Sequence, residues 1–158
     1  MFREVARANK SLSRGECIRI LTEEKRGVLS VNGDGGYPYG MPLNHFYNPD
    51  DGRIYFHGGK EGHRTDSVRK DARASFCVLD RGYRNEGEWA LNIASVIVFG
   101  RIEEITDRDT IYDIARRLSL KFTDDREFIE KEIERAGPRT MMFVLVPEHI
   151  TGKRVSES

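Results

Sequence analysis

The sequence predicts an α+β fold, a single domain built on an antiparallel β-barrel of about six strands with peripheral helices. Three observations lead there. Short runs rich in β-branched and aromatic residues follow one another with Gly, Pro, Asn and Asp between them, the pattern of hairpins. Helical periodicity is confined to the start of the chain, one short central segment and residues 106–136, so helices do not alternate with strands as a doubly wound parallel sheet requires. At 158 residues, the chain is long enough for one sizeable core.

Residues 1–12 are polar and basic and read as an N-terminal arm outside the core. Ser13 and Glu16 make a capping box, with Cys17, Ile20 and Leu21 following at helical spacing, and this helix is expected to end near Arg26 and Gly27. Residues 28–31 read as a short strand, the NGDGG run at 32–36 as a hairpin turn, and residues 37–47 as the partner strand. Pro38 and Pro42 donate no ladder bond, which makes that partner an edge, a bend or a bulge. After a turn at 48–52, Ile54, Tyr55 and Phe56 form a strand that breaks at Gly58 and Gly59, and a short helix occupies 65–70. An apolar strand covers 74–79, a charged loop 80–88, and β structure 89–105, centred on SVIVFG at 95–100. Residues 106–122 form the clearest helix, capped by Thr106, with Ile111, Ile114, Ala115, Leu118 and Phe122 as a stripe for core packing. A more charged helix spans 124–136, and a last buried strand at 140–146 is closed by Pro147.

Composition narrows the function. Lys plus Arg equals Asp plus Glu at 26 each, so there is no bulk attraction to nucleic acid or to a membrane surface, and any anion site must be local. Two cysteines, Cys17 and Cys77, are too few for a disulfide framework and lack metal-ligand spacing, so both read as reduced core thiols. The four histidines, His45, His57, His63 and His149, show no metal-binding spacing, and no metal site is expected. No apolar run approaches the ~18–20 residues of a membrane span and the N-terminus has no signal-peptide pattern, so a soluble cytoplasmic protein is expected.

The stretch RIYFHGGKEGHRTDSVRK at 53–70 carries the clearest chemistry. A strand runs into glycines, then into His57, Lys60, His63 and Arg64 around Gly62, and then into a helix start. Backbone N–H groups, cations and a helix N-terminus brought to one place suit a phosphate group. Neither a Walker A loop nor a GxGxxG pattern is present, and a surface turn with solvated charges remains the alternative. A phosphate cradle without evident proton-transfer machinery points to chemistry borrowed from a cofactor.

Four segments together resemble a known family: GYPYGMPLN at 36–44, IYFHGGKEGHR at 54–64, SVIVFG at 95–100 and ITGK at 150–153. It is the FMN-binding split-barrel family related to pyridoxamine 5′-phosphate oxidase, in the branch of the nitroimidazole-resistance flavoproteins. The likeness runs from about Ser13 to Lys153, and its most specific parts are PYGMPLN and IYFHGGKEGH. It implies FMN as cofactor, with Tyr39, Met41, Pro42, Leu43 and Asn44 along the flavin ring and Phe56 and His57 near the ring and ribityl chain. It further implies that Lys60, Gly62, His63 and Arg64 meet the phosphate, and that Ser95 and Val96 touch the cofactor from a later strand. Relatives often carry lysine or arginine where His63 stands, which leaves the charge to Lys60 and Arg64 when His63 is neutral.

The resemblance also implies a homodimer with cofactor at the interface, a small-molecule substrate such as a nitroaromatic, and His57 as the one catalytic candidate. True pyridoxamine-phosphate oxidases carry a C-terminal Trp and Arg for substrate phosphate, whereas Trp89, the sole tryptophan, lies elsewhere; that activity is not expected. The alternative function is a non-catalytic flavin- or haem-binding carrier or sensor, with His45, His57 or His63 as an axial ligand.

Overall fold

The first helix, α1 (Arg14–Glu23), starts at the capping box: the Ser13 hydroxyl accepts from Glu16 N at 3.2 Å, and the Glu16 carboxylate accepts from Ser13 N at 2.8 Å. The helix stops at Glu23, short of the expected Arg26, because residue 26 already pairs in the sheet. In the computed structural model, which describes residues 1–157, the strands are β1 (Arg26–Asn32), β2 (Pro38–Asn44), β3 (Phe46–Asn48), β4 (Arg53–Gly59), β5 (Arg73–Leu79), β6 (Leu91–Ile105) and β7 (Thr140–Glu157). The remaining helices are α2 (His63–Lys70), α3 (Arg108–Ser119) and α4 (Arg126–Ala136).

The sheet has seven strands, one more than expected, in the order β2-β1-β5-β6-β7-β4-β3, with every neighbouring pair antiparallel. The extra strand arises because 37–47 divides at His45 into β2 and β3, which lie at opposite edges of the sheet. Two edges joined through a single residue can coexist only if the sheet curls round until they face each other. The result is a split barrel, and both prolines of 37–47 sit on an edge strand, where a missing donor is tolerated.

The last strand departs most from expectation. β7 does not close at Pro147 but runs to Glu157. Pro147 stands opposite Gly100 at a register shift in the β6–β7 pairing, an irregularity that accommodates a residue without an N–H. The cap of α3 also differs: the Asp107 carboxylate, not Thr106, accepts from Thr110 N at 2.9 Å. Phe122 falls beyond the helix and is exposed, while Ile111, Ile114 and Leu118 are buried as the stripe predicts.

Alternation along β4 divides the interior. Ile54 and Phe56 face the barrel core with Leu29, Phe76, Val96, Phe143 and the α1 residues Ile20 and Leu21. Tyr55 faces the other side, where it packs with Met142, Val144, Ile111 and Ile114, so α3 sits on the outer surface of β4 and β7, with α4 packed against α3. Residues 1–12 are less detached than an arm: Leu12 packs on the core, and its N–H donates to Gly152 O at 2.8 Å. Cys17 is buried as expected, but Cys77 is only half-buried, on the outer face of β5. No helix among the described residues is long and apolar enough to cross a membrane.

Candidate functional site

The split itself forms the candidate site. One wall is β2; the other is the end of β4, the glycine turn and the start of α2. Across the gap the Tyr39 and His63 rings stack with centroids 4.0 Å apart, and Arg26, Pro42, Leu43, Asn44 and His57 line a groove. Residues that the sequence placed in two separate motifs therefore meet on facing walls.

Gly58 explains the position of the main cation. A Cβ at this residue would collide with Nη2 of Arg64, so the missing side chain is the slot in which the guanidinium lies. Arg64 is stacked over the Phe143 ring at 5.1 Å, and its Nε is buried without a hydrogen-bond partner among the described residues. Burial lowers its pKa, with the nearby Tyr39 acting the other way, yet a guanidinium at this height stays charged. A half-buried cation with an unsatisfied donor fits an anionic ligand. Gly62, at φ 127°, precedes α2 as its N-cap with no side chain bonding back to the first turn, and Lys60 stands exposed beside it. His63 is committed elsewhere: Asp34 lies 3.7 Å from its Nε2 and also accepts from Lys70 at 3.3 Å. Of the sequence-predicted phosphate cations, Arg64 and Lys60 are thus the ones without a carboxylate against them.

His57 lies on the outer face of β4 in line with Tyr55, its edge open to the groove. Desolvation by the groups around it lowers its pKa from the ordinary histidine value and Arg64 adds to this, although the side chain is exposed; in the favoured neutral form the ring offers one N–H and one lone pair. Asn44 closes the groove, its Oδ1 accepting from Arg26 Nε at 2.9 Å.

Residues 13–154 match the family described as pyridoxamine 5′-phosphate oxidase. The chain belongs to that family. No curated protein matches it. Among solved structures, a provisionally assigned 5-nitroimidazole antibiotic resistance protein from Bacteroides thetaiotaomicron superposes with a TM-score of 0.75 at 15% identity, over 92% of this chain and 87% of that one. An FAD-binding protein from Mesorhizobium loti gives a TM-score of 0.65 at 24% identity, over 92% and 97%. An FAD- and haem-binding protein from Mycobacterium smegmatis gives 0.71 at 20%, over 94% and 74%. At these identities the likeness establishes the split-barrel fold of the family.

Not every expected residue comes to the groove. The side chains of Phe56 and Val96 are fully buried in the core and Met41 is nearly so, which leaves only their backbones for a ligand. Ser95 is on a different surface, beside residues 3–6 and Thr151 to Lys153. His45 is also in the core, wholly buried, with its Nε2 2.7 Å from Leu21 O and its ring against Phe76 at 4.9 Å, so no axial-ligand role is open to it without unpacking the barrel. Arg26 and Asp34 escaped the sequence reading. Extending the pairing outward from the NGDGG turn sets Arg26 opposite Asn44, so register alone could have found the first.

Proposed function

We propose that the chain is an FMN-dependent oxidoreductase, holding the cofactor in the split and reducing a small molecule, with a nitroaromatic as the substrate class. The observation that carries this reading is the Arg64 guanidinium in the Gly58 slot, half-buried and with a donor that no group among the described residues satisfies. A phosphate monoester supplies the missing acceptor and the opposite charge. The first-turn N–H groups of α2 and the exposed Lys60 add to the same cradle. FMN ends in such a monoester, which favours it over FAD, where the phosphate is bridged.

When bound, FMN supplies the hydride and electron chemistry. The residues of the chain do the rest. Tyr39 to Asn44 offer an edge strand with unpaired backbone groups along the ring, in keeping with the family resemblance. Tyr39 and His63 close one end of the groove by stacking. His57, whose pKa is shifted toward the neutral form, would hold or hand over a proton at the substrate, and Asn44 is held by Arg26 beside it. Pyridoxamine-phosphate oxidase activity is not part of the reading, since Trp89 is exposed in a loop away from the groove.

Titrating the flavin-free protein with FMN, FAD and riboflavin, by flavin fluorescence, tests the proposal. Tight FMN binding, weaker riboflavin binding and reduction of bound FMN by a nicotinamide donor are expected, followed by reoxidation with a nitroaromatic. If excess FMN does not bind, the proposal fails. Bound FMN that no donor reduces would indicate the non-catalytic carrier or sensor instead, and a Soret band on haem addition would indicate a haem protein.

A further inference from the structure

Behind the groove lies a second space, between α3, α4 and the outer face of β4. It is a cavity of about 250 Å³ whose walls are mainly the apolar faces of the helix pair, among them Ile111, Ala115, Leu118 and Ile133. Asn44 and His57 line both this cavity and the groove in the split, so the two spaces adjoin at those side chains. The small residues Ala115 on α3 and Ala136 on α4 leave the space open, where larger side chains would let the helices close on β4. The uncharged polar side chains of the lining are Tyr112, Ser119, Thr140, the Asn44 amide and the His57 ring. Glu132 is the one charged side chain among the described lining residues when His57 is neutral, and its carboxylate is already paired with Arg135 at 2.7 Å; no lysine or arginine is among them.

We propose that this cavity is the substrate subsite of the flavin site read above, and that it selects a neutral single-ring aromatic molecule with one polar end. Volume sets the class. An apolar cavity of about 150 Å³ admits one benzene ring, so this one admits a ring with substituents and excludes a fused polycycle of three rings. Charge sets the sign. The lining itself holds no cation to meet an anion, so burying a charged ligand there is disfavoured. Orientation follows from that adjacency: the ring lies among the α3 and α4 side chains and its reacting end points toward Asn44 and His57, beside which the proposed function sets the flavin ring.

The probe is 4-nitrobenzyl alcohol, with 4-nitrobenzoate as its anionic counterpart, and binding is measured by calorimetry on flavin-free protein first and on FMN-loaded protein second. The alcohol is expected to bind both forms, and to bind at least about tenfold tighter than the benzoate. Ala115→Phe, which fills the cavity from α3, is expected to weaken the alcohol by about tenfold or more while FMN affinity stays within about twofold. Ala136→Leu reaches the same space from α4 and serves if Ala115→Phe does not fold. Unchanged alcohol binding in both folded variants overturns the proposal, as does tighter binding of the benzoate or no binding of either probe. Because the cavity is judged first without flavin, failure of FMN to bind would sink the cofactor reading separately, without deciding this one.

Discussion

Replacing Arg64 with alanine removes a cation whose Nε has no partner among the described residues, so the expected loss falls on ligand binding and not on the fold. A charge-assisted contact is worth roughly 1.5–3 kcal/mol, and Arg64→Ala should therefore weaken FMN about ten- to a hundredfold. Riboflavin, with the same ring and no phosphate, should hardly change. Gly58→Ala gives an independent check, since its Cβ would collide with Nη2 of Arg64 and push the guanidinium out without altering any charge. The far end of a long side chain can move aside, so this variant should fold and reproduce the selective loss of FMN. Equal losses of FMN and riboflavin in either variant would make the turn a support for the fold alone. Lys60→Ala should have the smaller effect of the two cations, because Lys60 is exposed and screened while Arg64 is half-buried.

At the level of elements, the corner between β2 and β3 is tied to α1 and to the tail of α3. His45 N donates to Lys25 O at 3.1 Å, its Nε2 donates to Leu21 O at 2.7 Å, and Lys121 Nζ donates to Glu24 O and His45 O, each at 2.7 Å. These contacts satisfy carbonyls at and just beyond the end of a helix with no glycine cap. They also give a pH dependence with a definite sign. Burial brings the His45 pKa from 6.5 down to about 4, with Lys121 adding to the shift, so the unfolded chain takes up a proton that the folded chain refuses. Stability should fall as pH drops from about 6.5 to about 4, by roughly 3 kcal/mol over the window. His45→Gln should flatten that slope in urea unfolding at a series of pH values; an unchanged slope would place the titration elsewhere. Elements of this kind show where sequence reading stops. The capping box at Ser13, the hairpin turn, the buried part of the α3 stripe and the two motifs that face each other across the split rest on neighbours in the chain and were legible. The continuation of β7 through Pro147, the division of 37–47 at His45 and the pairing of Gly58 with Arg64 depend on a distant strand, on barrel closure and on a side-chain path, none of which leaves a local periodicity. The α3 stripe was rightly read as core packing, but not that the same helix pair also walls a cavity.

For the whole molecule, the unanswered surface is the outer face of the sheet. The register aligns Pro42, Val28, Cys77 and Ile97 across β2, β1, β5 and β6, and Val28, Leu79, Ile97 and Phe99 are 43%, 57%, 37% and 37% exposed. A face of this composition on a chain of zero net charge favours self-association over solvation. Phe2 covers part of it, stacked on Phe99 at 5.5 Å and on His149 at 5.2 Å, but leaves the Val28–Cys77–Ile97 row open. Ser95, which did not reach the groove of its own chain, lies along the same strand as this row, so a second copy docked here by a two-fold axis is the way it could approach a cofactor. The family resemblance points to such a dimer. Sedimentation of FMN-loaded protein should therefore give a dimer, and Ile97→Glu should give a monomer that folds with little change in melting temperature, because Ile97 is outside the core. FMN should bind this monomer more weakly than the dimer if the partner completes the site. A monomeric wild-type protein at micromolar concentration would refute the assembly, and a dimeric Ile97→Glu would move the interface to another face. Full FMN affinity in the monomeric variant would instead confine the site to one chain, with Arg64, Lys60 and the edge of β2 sufficient to hold the cofactor.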